Sequence, residues 1–90
     1  KLLMSDHKIA FELITPAKII YKGDIKVFNG ASELGKFEIL ADHADFVVAL
    51  AGGLLEIKDM HEQSASFDVP GGILYMRNNI LTVLTEKLIG

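Results

Sequence analysis

Hydrophobic residues recur in this chain in short runs that alternate with polar positions, and no long helical period is present. In the first run, alternation predicts that Ile9, Phe11 and Leu13 face one way along an extended strand while Lys8 and Glu12 face the other. Comparable runs return at intervals of about eight to twelve residues, a spacing typical of β-sandwiches and barrels. The predicted strands are residues 7–14, 18–22, 25–28, 36–40, 46–50, 54–58, 62–69, 73–76 and 79–85.

Residues with turn chemistry separate the predicted strands. Asn78 and Asn79 predict a tight hairpin turn, because Asn tolerates the positive φ that two-residue hairpins need. Residues 41–49 fit either a strand or one helical turn. The other predicted turns are Thr15-Pro16, Lys22-Gly23-Asp24, Asn29-Gly30, Ala51-Gly52-Gly53, Lys58-Asp59 and Pro70-Gly71-Gly72. The chain is therefore predicted to be all-β, a two-sheet β-sandwich or flattened barrel of about 8–10 short strands.

The 90 residues suffice for one domain, and 50% hydrophobic with 23% charged residues is a globular composition. The net charge of −3 and the scattered lysines give no reason to expect a nucleic-acid partner. The absence of cysteine excludes a disulfide framework and a thiolate metal site. We expect residues 1–6 to be an N-terminal extension without signal-peptide character, 7–87 the folded domain, and 88–90 its C-terminal end.

Residues 30–36, Gly-Ala-Ser-Glu-Leu-Gly-Lys, match the glycine and lysine spacing of a phosphate-binding loop. The next residue should be Ser or Thr but is Phe37, and the residues after it alternate like a strand. A phosphate-binding loop instead opens a helix whose N-terminus faces the phosphates. We therefore expect no nucleotide site and a glycine-rich connection between two strands.

Three histidines, His7, His43 and His61, are the candidate ligands for a metal. A facial triad needs two histidines and a carboxylate, whereas these three are not paired at short spacing. His43 stands apart because it lies with Asp42 and Asp45 in a polar interruption of an apolar stretch. It fits either a structural histidine that bridges backbone groups or a contact with a partner. The serines lack the Gly-x-Ser-x-Gly context of a nucleophile, so we expect no catalytic residue and no metal.

Three separated blocks, which together span about residues 9–86, carry a family resemblance. They are residues 11–25 with their Thr-Pro corner and Tyr-x-Gly segment, residues 35–44 with their His-Ala pair, and residues 71–84 with the Gly-Gly-Ile-Leu and Asn-Ile-Leu-Thr-Val-Leu strands. In this order they resemble the N-terminal β-sandwich of the epsilon subunit of F-type ATP synthases, called delta in mitochondria. Residues 43–50 are similar to the alternate, sodium-type branch of these enzymes.

The resemblance implies a non-catalytic rotor subunit of the central stalk. Such a subunit couples ion flow through the membrane c-ring to ATP synthesis or hydrolysis by docking to the gamma subunit and the c-ring. By position, the residues implied to contact the c-ring are Ser32, Glu33, Leu34, Gly35 and Lys36. Those implied to contact the gamma subunit are Thr15, Ala41, Asp42 and His43.

The resemblance also implies a peripheral position at the cytoplasmic face of the bacterial inner membrane, held there only through the complex. It implies no cofactor and no small-molecule ligand. Family members usually continue into a C-terminal helical hairpin, which we do not expect within these 90 residues.

Two other functions stay open at this point. A stand-alone ligand- or peptide-binding sandwich would have an apolar cleft with a few convergent polar groups. A small metal-dependent β-barrel enzyme would bring two histidines and a carboxylate within coordination distance.

Overall fold

The computed structural model describes residues 7–90, so the predicted N-terminal extension lies outside the described residues. Residues 7–90 are all-β, as predicted, and contain no helix that could cross a membrane. The strands are β1 (Ile9–Ile14), β2 (Ile19–Ser32), β3 (Gly35–Leu40), β4 (Phe46–Leu50), β5 (Gly53–Asp59), β6 (Ser64–Val69), β7 (Gly72–Arg77) and β8 (Ile80–Leu84).

Strand β2 organises the sheet into two layers. Hydrogen bonding links the strands in the order β4-β7-β8-β1-β2-β5-β6, with β3 also paired to β2. The first half of β2 pairs with β1, and its second half pairs with β3 and β5. The register with β5 shifts between Ile25 and Val27, and an irregularity of this kind bends a strand. One layer therefore contains β4, β7, β8, β1 and the start of β2, and the other contains the end of β2 with β3, β5 and β6.

Two predicted turns are wrong, because Lys22-Gly23-Asp24 and Asn29-Gly30 both lie inside the 14-residue strand β2. Gly30 makes room for an aromatic ring, because a Cβ there would lie 2.9 Å from the Phe28 ring. A Cβ on Gly23 would lie 3.5 Å from the Tyr21 ring, which is an ordinary van der Waals contact. Glycine in a strand often marks such close packing and does not need a turn. The predicted strands 18–22 and 25–28 therefore form one strand.

The predicted hairpin turn at Asn78 and Asn79 is confirmed, with φ values of 51° and 62°. Positive φ at both central residues is the type I′ geometry, whose twist matches that of the flanking strands. The segment that fitted strand or helix divides into a loop at residues 41–45 and strand β4 from Phe46.

Alternate residues of the strands fill one core between the layers. In β1, Ile9, Phe11 and Leu13 are fully buried, which confirms the predicted alternation. The Phe11 ring lies 5.8 Å from the Tyr21 ring and 5.5 Å from the Phe28 ring, measured between centroids. Tyr21 in turn contacts Phe67 of β6 edge to face, at 5.7 Å. Aromatic contacts thus join the two layers.

The turn between β5 and β6 is held by acidic side chains. Asp59 accepts hydrogen bonds from the backbone N–H groups of Gln63 and His61 at 3.0 and 2.7 Å, and these bonds lower the pKa of its carboxyl group. Glu62, at φ 65°, accepts a hydrogen bond from the Lys26 ammonium of β2. That bond, together with the charge of Lys26, lowers the pKa of Glu62.

Replacing Phe11 with Ala should lower the free energy of unfolding by about 3–5 kcal/mol, because it leaves a ring-sized cavity between the layers. Chemical denaturation measures this change. Glu12→Ala, on the outward side of the same strand, is the matched control and should change stability by less than about 1 kcal/mol. Equal effects of the two substitutions would contradict the assigned faces of β1.

Acidification should weaken the β5–β6 turn. Because folding lowers the pKa of Glu62, its contribution to stability is fully present above the unfolded pKa of about 4.3 and is lost as pH falls through the lower folded value. Urea midpoints measured from pH 6 down to pH 2 should therefore fall less steeply in Glu62→Gln than in the unmodified chain. Glu86→Gln, beyond β8, is the control, and parallel curves for all three proteins would refute this role of Glu62.

Candidate docking surfaces

The outward side of β4, β7 and β8 carries an exposed apolar surface, which we call the outer face. Cross-strand pairing joins most of it, since Val47 lies opposite Tyr75 and Ile73 lies opposite Leu84, while Ile80 lies opposite Arg77. Val47 is the most exposed of the set at 68%. The outer face consists of Val47, Ile73, Tyr75, Ile80 and Leu84. Soluble proteins seldom expose a contiguous apolar patch unless it contacts a partner, so the outer face is a candidate docking surface.

The residues implied to contact the gamma subunit lie at both ends of the outer face. Ala41, Asp42 and His43 lie in the β3–β4 loop beside the Asn78-Asn79 turn. Thr15 follows β1 at the other end, where Ile14 pairs with Leu84. The structure therefore brings Ala41, Asp42 and His43 together but not Thr15, which is separated from them by the length of β1, roughly 20 Å.

Thr15 has a local structural role. Its side chain is largely buried, with 8% of the residue exposed. Its hydroxyl donates to the Lys18 carbonyl oxygen at 3.2 Å and accepts from the Lys18 N–H at 3.3 Å. These bonds close the corner between β1 and β2.

A set of side-chain bonds holds the β3–β4 loop against the hairpin turn, and we call it the Asp42–Asn79 lock. The Asn79 amide oxygen accepts from the Asp42 N–H at 2.6 Å, and its amide nitrogen donates to Asp42 Oδ1 at 2.8 Å. His7 Nδ1 lies 2.7 Å from Asp42 Oδ2. A further bond runs from the Asn78 N–H to Asp45 Oδ1 at 3.0 Å. The lock fixes Asp42 in a left-handed conformation, at φ 65°.

His43 makes contacts only a few residues away in sequence. Its Nδ1 is 2.8 Å from the Ala44 carbonyl oxygen, and its ring packs edge to face on Phe46 with centroids 4.8 Å apart. The ring contacts one backbone group and bridges none in the described residues, and its exposure leaves it accessible to a partner.

The residues implied to contact the c-ring form the tip of the β2–β3 hairpin, which we call the hairpin tip. Ser32 pairs with Gly35, so Glu33 and Leu34 form the turn, Gly35 begins the return strand, and Lys36 follows it opposite Ala31. The structure brings the five together at the opposite end of β3 from the β3–β4 loop. Leu34 stands at the apex with 99% of its surface exposed.

The described residues offer little support for a metal or ligand site. Residues 7–90 contain no group of three His, Asp or Glu side chains placed to hold a metal ion. An open apolar groove of about 690 Å³ lies at the Thr15 end. The hydroxyl groups of Thr15 and Thr85 there already donate to the carbonyl oxygens of Lys18 and Gly71. Neither threonine hydroxyl therefore has a proton left to donate to a small ligand in this groove.

Residues 8–90 match the model of a family described as the ATP synthase delta/epsilon chain, beta-sandwich domain. The chain belongs to this family. It is similar to the ATP synthase epsilon chain of Leptospira borgpetersenii, with 35% identity over 83 residues that cover 92% of this chain and 65% of the relative. The epsilon chain of Paramagnetospirillum magneticum is 38% identical over 85 residues, covering 92% and 62%. The chain thus spans a little under two-thirds of the length of these curated relatives.

The delta/epsilon fold is also found among solved structures. A chain in the Euglena gracilis mitochondrial ATP synthase, from a structure of its OSCP/F1/c-ring, superposes with a TM-score of 0.86. The two are 19% identical, and the match covers 92% of this chain and 53% of the other. The predicted β-sandwich of the delta/epsilon family is therefore confirmed at the level of fold.

Sequence reasoning missed the outer face and the Asp42–Asn79 lock. The outer face had a visible signal, because β8 reads Ile-Leu-Thr-Val-Leu and is apolar on both sides instead of on one. The lock had none, since Asp42 and Asn79 are 37 residues apart and meet only through the fold.

Replacing Asn79 with Gly should release the β3–β4 loop, because Gly keeps the positive φ of the turn but removes both amide bonds to Asp42. Amide hydrogen exchange at Asp42 should become roughly fivefold faster or more, as expected for one lost hydrogen bond. Asn78→Gly is the matched control, since it changes the same turn but retains the backbone bond to Asp45. Equal exchange at Asp42 in both variants would show that the lock does not hold the loop.

Proposed function

We propose that this chain is a non-catalytic rotor subunit of an F-type ATP synthase, docking the gamma subunit on one surface and the membrane c-ring on another. The single observation that carries the proposal is that one delta/epsilon sandwich has two different exposed surfaces suited to docking. One is the apolar outer face, and the other is the projecting hairpin tip. Membership of the delta/epsilon family supports an ATP synthase as the assembly, and the family resemblance implies the gamma subunit and the c-ring as the two partners.

The gamma subunit covers the outer face in this proposal. The residues implied to contact gamma border that face, with Asp42 and His43 at one end and Thr15 at the other. Burial of the five exposed apolar side chains between them would provide a dry interface centre. The polar loop residues then form the rim, where charges affect association rate and partner choice more than affinity.

The c-ring contacts the hairpin tip. The tip lies at the end of β3 opposite the β3–β4 loop, away from the Asp42 and His43 end of the outer face. The chain itself performs no chemistry in this role, and ATP synthesis or hydrolysis belongs to other subunits of the complex. Its position is peripheral, at the cytoplasmic face of the bacterial membrane, through these contacts alone.

A rotor subunit must transmit force without deforming, and the core suits that requirement. Close-packed protein interiors have low compressibility. Here the aromatic contacts of Phe11, Tyr21, Phe28 and Phe67 connect the two layers directly. Backbone pairing through β2 connects them a second time.

Capture of purified gamma subunit tests the proposal. Val47→Lys places a charge on the outer face and should reduce capture at least about tenfold, as for an interface centre. Leu54→Lys is the matched control, because Leu54 is also an exposed strand residue, at 63%, but lies on β5 of the other layer. It should bind like the unmodified chain, and both variants should stay within about 0.5 kcal/mol of its stability.

Two results would count against the proposal. Undiminished capture by Val47→Lys would remove the outer face as the gamma surface. Failure of the unmodified chain to capture gamma at all would favour the stand-alone binding sandwich.

A further inference from the structure

We infer that Leu34 anchors the hairpin tip, and that the tip binds its partner by burying this apolar side chain and not by pairing charges. The inference rests on the proposed contact between the hairpin tip and the c-ring. To that contact it adds the residue that supplies most of the affinity. It also states the chemistry that the partner surface must present.

The exposure of Leu34 is the first argument. Leu34 is 99% exposed, more than the other large hydrophobic residues found exposed in residues 7–90. Burying a leucine side chain completely is strongly favourable, so a partner that covers it gains affinity from this one residue. Binding energy at interfaces is commonly concentrated in a few such central anchors.

The turn holds Leu34 in place before any partner arrives. The Leu34 N–H donates to the Ser32 hydroxyl oxygen at 3.1 Å. The positive φ of this hairpin falls on Gly35, at 121°, so the branched side chain of Leu34 can stand at the apex without backbone strain. At the base, the Ala51 N–H donates to the Ala31 carbonyl oxygen at 2.9 Å and ties the hairpin to the end of β4. A preorganised loop loses little conformational entropy on binding.

The charges of the tip argue against an electrostatic contact. Its charged residues are Glu33 and Lys36, one of each sign, so residues 32–36 carry no net charge. A net-neutral tip offers a charged partner surface little attraction beyond short range. Glu33 and Lys36 instead flank Leu34, the position of rim residues around an apolar anchor.

A groove beside Leu34 defines the partner surface. It has a volume of about 570 Å³ and lies between Leu34 and the end of β4, where Val48 and Ala51 line it. A short loop with a small or apolar side chain at its centre can enter this groove and cover one side of Leu34. We therefore assign the tip a partner loop that is polar at its edges and apolar or small at its centre, presented by the c-ring.

Binding of the gamma-bound chain to purified, immobilised c-ring tests the inference. Leu34→Ser removes the apolar side chain but keeps the backbone bond to Ser32, and should weaken binding roughly 10- to 100-fold. Leu34→Met should restore binding to within about threefold of the unmodified chain, since it retains the apolar volume. Lys36→Glu should change affinity less than about threefold and act mainly on the association rate and its salt dependence.

The outcomes separate the inference from the proposed function. If the unmodified complex binds the c-ring but Leu34→Ser binds equally well, or Lys36→Glu causes the larger loss, the apolar anchor is wrong while the c-ring contact stands. If Leu34→Ser abolishes binding and Leu34→Met restores it, the anchor is supported. If the unmodified complex does not bind the c-ring, both the anchor and the proposed c-ring contact are overturned.

Discussion

The two layers of this domain meet in an aromatic cluster. The positions of the two candidate docking surfaces depend on that contact. Phe11 of the first layer packs on Phe28 of the second, and Tyr21 does the same with Phe67. The Phe28 ring fits between the sheets because Gly30 leaves space beside it. The cluster fixes how the layers face each other. It thereby determines where the outer face and the hairpin tip lie on the surface.

Local pattern was enough to predict the parts of the fold that depend on neighbouring residues. The burial of Ile9, Phe11 and Leu13 follows from simple alternation, and the turn at Asn78 and Asn79 follows from the tolerance of Asn for positive φ. Family resemblance supplied the five residues of the hairpin tip, which the fold does bring together.

The parts that could not be predicted depend on residues distant in sequence. Gly23 and Gly30 look like turn residues until β2 is seen to run through both, with the Phe28 ring packed beside Gly30. Thr15 and Asp42 were assigned to one contact, yet they lie at opposite ends of β1, because the order of the strands determines which loops are neighbours. Long-range arrangement of this kind is not encoded in local periodicity.

The path of β2 has a mechanical consequence. A single backbone passes through both sheets, so sliding one sheet over the other would strain covalent bonds and rupture ladders to β1, β3 and β5 together. The hairpin tip is the direct continuation of this strand at Ser32. A load applied at the tip is therefore transmitted through one continuous backbone into the sheet that bears the outer face. This transmission does not depend on side-chain packing between the layers.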